Sequence, residues 1–230
     1  METTQQISSH LTIEQQQIIE KTIVYVQEML ADDKTGHDWW HIQRVWQTAL
    51  YIGQQEGADL FTVQIAALLH DIADWKFHNG DEWASAKSAK AWLLKHHVPV
   101  SLCEQISEIV YQVTFKGAGV KTDMSCLAGK VVQDADRLDA IGAIGIARAF
   151  TYGGCKQRSL YDPEIAPILH GSFEDYKKSQ STTINHFYEK MLLLKDLMNT
   201  ATGKKLAEQR HLFIEQYLEQ FFKEWNCQFY

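Results

Sequence analysis

Apolar residues recur at three- and four-residue spacing along nearly the whole chain, while the alternating pattern of a strand is almost absent, so an all-α fold is expected. Thr12 and Gln15 form a capping box that opens a helix with Ile19, Ile23, Val26 and Leu30 along one stripe. A second helix is expected from Asp38 to Glu56, turning Trp39, Ile42, Val45, Trp46, Ala49 and Ile52 inward, with Gly57 just past its end, where a terminating glycine belongs. Asp59 is placed to cap a third helix through Val63, Ala66, Ala67 and Leu69. Asp81 is placed to cap a fourth, bearing Trp83, Ala84, Ala91 and Trp92 ahead of Pro99. Ser101 with Glu104 gives another capping box, for a helix ending near Gly117, and Asp123 opens a sixth helix through Leu127, Val131 and Leu138. An irregular stretch from Gly153 to Gly171 is long enough to serve as a functional cover. Two long amphipathic helices, at about 173–198 and 204–225, follow it.

No repeat and no Ser-, Pro- or charge-rich linker interrupts this pattern, so residues 1–230 read as a single domain whose C-terminal helices pack on the same core. A chain of 230 residues buries enough surface to need no covalent staple, and the four scattered cysteines, without a CxxC pair, read as reduced thiols. The net charge of -7 argues against broad binding to nucleic acid or to an anionic membrane, though a local basic pocket remains compatible with it. No basic leader with an apolar core begins the chain, and no apolar run approaches the roughly 20 residues that span a bilayer. A cytoplasmic protein is expected, with room for a homo-oligomer.

Several groups carry chemistry. His37 and His41 lie four apart in GHDWWHIQRVWQTA, His70-Asp71 closes the apolar run QIAALLHDIAD, and Asp134, Asp136 and Asp139 punctuate VVQDADRLDAIGAIG. Taken singly, each has a plain structural reading: a shared helix face, a solvated helix end, an exposed acidic face. Jointly they weigh differently. A carboxylate at the edge of a buried helix is costly unless it is paired or holds a cation. Two imidazoles and two carboxylates on three helices make a mixed nitrogen and oxygen set suited to a divalent ion such as Mn, Ni, Co, Fe or Mg. Four protein ligands on a six-coordinate ion leave two positions open, as catalytic sites require.

His41, His70-Asp71 and Asp136, in that order and each with its flanks, resemble the H…HD…D signature of the HD-domain metal-dependent phosphohydrolases. GHDWWHIQRVWQTA, ALLHDIADWKF and VQDADRLDAIGAIGIARAFTYGG are similar to the YpgQ-type HD pyrophosphohydrolases, with the signature spanning about residues 36–154. The resemblance implies an all-α HD helical bundle and makes His41, His70, Asp71 and Asp136 ligands of one divalent ion, with manganese favoured. His37 then falls outside the ligand set, one turn before His41, where it is placed to touch phosphate. Asp74 stands where many relatives carry Glu in an HDxxE motif; it keeps a carboxylate for orienting water but shortens its reach. Arg44 and Lys76 are further catalytic candidates that neutralise phosphate charge. His78 and Lys116, the latter in the Gly-bearing loop FKGAG, are candidate substrate contacts, and Arg137 and Arg148 flank the last motif. Asp139 is expected to support Arg44 or a ligand histidine.

The implied activity is hydrolysis of a nucleoside triphosphate to monophosphate and pyrophosphate. Alternatives are an HD phosphohydrolase acting on a nucleoside monophosphate or an alarmone, or a regulator that binds nucleotide or metal without turnover. The complete ligand set disfavours the regulator. A cyclic-dinucleotide substrate is disfavoured because His96-His97 is followed by VPV rather than an HHExxDGxGYP-like segment. HDIADW departs from the HDxxED pattern of alarmone hydrolases.

Overall fold

Every regular element among the described residues is a helix, as the periodicity predicts. The computed structural model describes residues 11–31, 36–73, 81–115, 124–169, 171 and 181–228. They divide into two compact units, one formed by residues 1–113 and 124–132, the other by 114–123 and 133–230.

In the first unit, α1 (Ile13–Met29) starts on the expected box: Thr12 Oγ1 accepts from Gln15 N and the Gln15 side chain accepts from Thr12 N. Its inward face is Ile18, Ile19, Thr22 and Val26; Thr22 takes the place expected for Ile23, its hydroxyl donating to the Ile18 carbonyl at 2.8 Å. α2 (Trp39–Glu56) is capped by Asp38 and ends on Gly57, whose φ of 70° is the left-handed value that favours glycine. Of its predicted inward residues, Ile42, Val45, Ala49 and Ile52 are buried, whereas Trp39 and Trp46 are half-buried.

α3 (Leu60–Leu69) starts from Asp59, which accepts from Thr62 N at 3.0 Å. Residues 61–69 are all buried, so α3 is the central helix of this unit, packed by α1, α2 and α5 (Val100–Val113). Its polar Gln64 is accommodated by a hydrogen bond from the Trp46 indole at 3.2 Å. α4 (Ala84–Lys95) pairs with α5, and its Trp92 stacks on Tyr25 and donates to the Thr22 hydroxyl. Two predicted caps are displaced. Asp81 accepts from Trp83 N, closing a turn before α4 rather than capping it. Ser101 already lies inside α5, because Pro99 lets the helix begin at Val100.

α6 (Leu127–Asp139) begins within the first unit and ends within the second; Asp123, its expected cap, lies outside the described residues. In the second unit, α7 (Gly142–Cys155) was not anticipated as a separate helix. Gly142, at φ 73°, turns the chain sharply after α6, and the stretch expected to be irregular from Gly153 therefore starts inside α7. Of the long helix predicted at 173–198, residues 173–180 lie outside the described residues, and the rest is a short α8 (Thr183–Glu189) followed by a 3-10 helix (Met191–Leu197). The final helix, α9 (Ala201–Trp225), starts three residues before its expected position, on Thr200. Phe187 at the centre of this unit packs against Phe150 and Tyr217. The segment after α7 is tied along α8: Asn185 Nδ2 donates to the Ile165 carbonyl at 2.7 Å, and Ile168 N donates to the buried Glu189 carboxylate at 3.0 Å. No helix among the described residues is long and apolar enough to cross a membrane.

Candidate metal centre

The last turn of α3 carries the His-Asp pair out of an apolar core. His70 follows Leu69 with helical torsions and is 2% exposed. An imidazole buried so far needs partners for its polar atoms. Its Nδ1 lies 2.8 Å from the Ala67 carbonyl oxygen. A carbonyl only accepts, so Nδ1 carries a hydrogen, and Nε2 of the neutral ring presents a lone pair. That nitrogen is 3.2 Å from Nε2 of His41. His41 is fully buried in the first turn of α2, and its backbone N–H donates to the capping Asp38 carboxylate at 3.0 Å, so the cap that starts the helix also fixes the histidine.

Asp71 completes the group. Its Oδ2 is 3.6 Å from His41 Nε2 and 3.7 Å from His70 Nε2, and its side chain is 20% exposed, so the cluster meets solvent at the carboxylate. Burial acts to raise the Asp71 carboxyl, but the charge of His70, a hydrogen bond from His41 and the charges of His37 and His41 outweigh it and hold the group well below the ordinary carboxylate range.

The donor set fits a divalent ion. Two imidazole nitrogens and a carboxylate oxygen suit borderline and hard cations better than thiophilic ones. A triangle with sides of 3.2, 3.6 and 3.7 Å has its vertices about 2.0 Å from a common centre, against bonds of roughly 2.0–2.2 Å for such donors on zinc-sized ions.

Of the predicted site residues, His41, His70 and Asp71 are brought together. His37 stands beside them, its ring edge-on to His41 with centroids 5.8 Å apart. Arg44 is half-buried on α2, three residues beyond His41. Trp40 is 61% exposed, while Trp39 is half-buried. Asp74, Lys76, His78 and Lys116 lie outside the described residues. Asp136 is half-buried on the part of α6 that belongs to the second unit.

Around Asp136 the structure shows a device that the sequence did not reveal. Asp134 is fully buried and accepts four hydrogen bonds: from Asn199 N and Nδ2, each at 2.8 Å, and from Thr200 N at 2.8 Å and Oγ1 at 2.7 Å. Its partners lie 65 and 66 residues away, so no local pattern announces them. Arg137, 6% exposed, donates to the Leu197 carbonyl, and Arg148 pairs with Asp139 at 3.0 Å. Both arginines flanking the motif, and the Asp139 carboxylate, thus make contacts inside the second unit.

Comparison with known proteins identifies the family. Residues 39–141 match the HD domain family. The chain is 40% identical to the uncharacterized protein YpgQ of Bacillus subtilis, over 89% of this chain and 92% of that one. Among solved structures, a Lactobacillus plantarum protein superposes with a TM-score of 0.83 at 38% identity, covering 94% of this chain and 99% of that one. An HD-superfamily hydrolase from Bacillus thuringiensis gives 0.70 at 45% identity, covering 92% and 98%. B. subtilis YpgQ in complex with ADP gives 0.71 at 36% identity, covering 92% and 97%.

Proposed function

The chain belongs to the HD-domain family of hydrolases, and on that premise we propose that it is a metal-dependent phosphohydrolase that cleaves a nucleoside triphosphate between the α- and β-phosphates. The observation that carries the reading is the convergence of His41 Nε2, His70 Nε2 and Asp71 Oδ2 at spacings matched to one small cation. These three residues and Asp136, by its place in the H…HD…D order, are proposed to hold the ion, with manganese first and nickel, cobalt, iron or magnesium as alternatives. When bound, such an ion polarises a phosphoryl oxygen and lowers the pKa of a coordinated water toward neutrality.

The protein's own groups do the rest. The Ala67 carbonyl keeps His70 in the tautomer that presents Nε2. Asp74 is proposed to accept the proton of the attacking water. Arg44, Lys76 and Lys116 balance charge spread over the phosphate chain, and His37 and His78 contact it. The ADP held by YpgQ supports a nucleotide substrate here. The absence of a membrane-length helix among the described residues accords with a cytoplasmic enzyme.

That same ADP complex favours one rival, cleavage between the β- and γ-phosphates, of which a nucleoside diphosphate is the product. Hydrolysis of ATP in oxygen-18 water separates the two. Attack at the α-phosphorus yields AMP and pyrophosphate with label in AMP, attack at the β-phosphorus yields the same pair with label in pyrophosphate, and neither releases labelled orthophosphate. Early labelled orthophosphate with ADP as co-product would refute the proposal.

A further inference from the structure

Within the six residues DADRLD, four anchors fix the C-terminal half of α6 inside the second unit. Asp134 grips Asn199 and Thr200, Arg137 reaches the Leu197 carbonyl, Arg210 donates to the Leu138 carbonyl, and Arg148 holds Asp139. Asp136 is the acidic residue of the segment outside these anchors. We infer that Asp134 is a positioning residue for Asp136, locking the rotation of α6 by clamping it to the start of α9 so that Asp136 is presented in a fixed direction. This inference rests on the proposed role of Asp136 as a metal ligand.

Three observations support it. Residues two apart on a helix point about 200° from one another, so a clamp at Asp134 sets the helix without competing for the face that carries Asp136. Packing alone does not call for a carboxylate here. A charge with no exposure is a costly way to fill space, and it is tolerated because all four donors converge on it. The partners are equally specific: Thr200 Oγ1 donates to Asp134 while accepting from Gly203 N at 2.9 Å, and a Cβ on Gly203 would collide with Asp134 Oδ2. A fully satisfied buried network of this kind specifies geometry as well as stability.

The test measures manganese affinity of the full-length, metal-stripped protein by equilibrium dialysis, alongside circular dichroism and the metal-free thermal midpoint. Asp134→Asn turns an amide toward backbone donors. Thr200→Val removes the hydroxyl's bond to Asp134 together with its cap to Gly203 N, and carries the test if Asp134→Asn fails to fold. Thr200→Ser keeps the hydroxyl. A positioning role predicts that the folded Asp134→Asn and Thr200→Val proteins bind manganese roughly 10–100-fold more weakly, as expected for outer-shell changes, while Thr200→Ser stays near wild type. Lower thermal midpoints with wild-type affinity in both would overturn the inference and leave only a structural clamp. Asp136→Ala is the control: if it loses affinity while the clamp variants do not, positioning alone fails. If Asp136→Ala itself keeps wild-type affinity, the ligand assignment fails and takes the inference with it.

Discussion

Alanine at His41, His70 or Asp71 deletes a donor from a cluster with no spare members among the described residues. Each variant should lose manganese affinity and activity by more than the roughly 10–100-fold of an outer-shell change, while remaining helical by circular dichroism. Asp136→Ala should behave alike, whereas His37→Ala should keep the metal and raise KM. The same cluster predicts a pH dependence with a definite sign. Asp71 is held below its ordinary range in the folded protein. Its contribution to stability is therefore fully present above the unfolded carboxylate value near pH 4 and is lost only as pH falls through its lower folded value. Acidification from about pH 8 to pH 5 leaves Asp71 ionised, while protons compete with a bound metal ion for its donor atoms as they do at any such site. Dialysis against manganese across that interval should show falling affinity, with the far-UV spectrum of the metal-free protein unchanged.

Among the helices, what the sequence makes legible depends on how local the signal is. Thr12 with Gln15, Asp38, Asp59 and Gly57 mark their boundaries because a cap is satisfied within three or four residues. The HD pair was readable for a similar reason, since the buried run before it leaves little choice about where the pair emerges. The break between α6 and α7 carries no local signal because AIGAIGIARAF continues a helical pattern; the turn is made by one glycine at positive φ. The helix expected at 173–198 does not continue through Lys190, which departs from helical torsions between α8 and the 3-10 helix, and nothing in its neighbours forecasts that. The four donors around Asp134 are tertiary and silent in the sequence. Gly142→Ala would force a side chain into the left-handed region and toward Arg210, whose Cβ stands 3.1 Å from the added atom. It should destabilise by about 1–3 kcal/mol, measured by urea unfolding.

At the scale of the molecule, the two units raise the question of how many cooperative blocks the chain contains. We propose that there is one. Six of the seven tryptophans lie before residue 114, so their fluorescence reports chiefly on the first unit, whereas far-UV circular dichroism averages every helix. Coincident urea midpoints by the two probes are expected, and separated midpoints would show two blocks. The first unit is also interrupted in sequence, leaving after residue 113 and returning for 124–132. On the ribosome this order matters. At about 5–20 residues per second, roughly 1–4 s separate synthesis of residue 113 from that of residue 132. Until then the nascent chain lacks Ala128, Val131 and Val132, all buried in the finished protein. A chain stopped anywhere between 114 and 131 therefore lacks part of both units, and no single cut separates the two units cleanly, because each contains a piece of the 114–132 stretch.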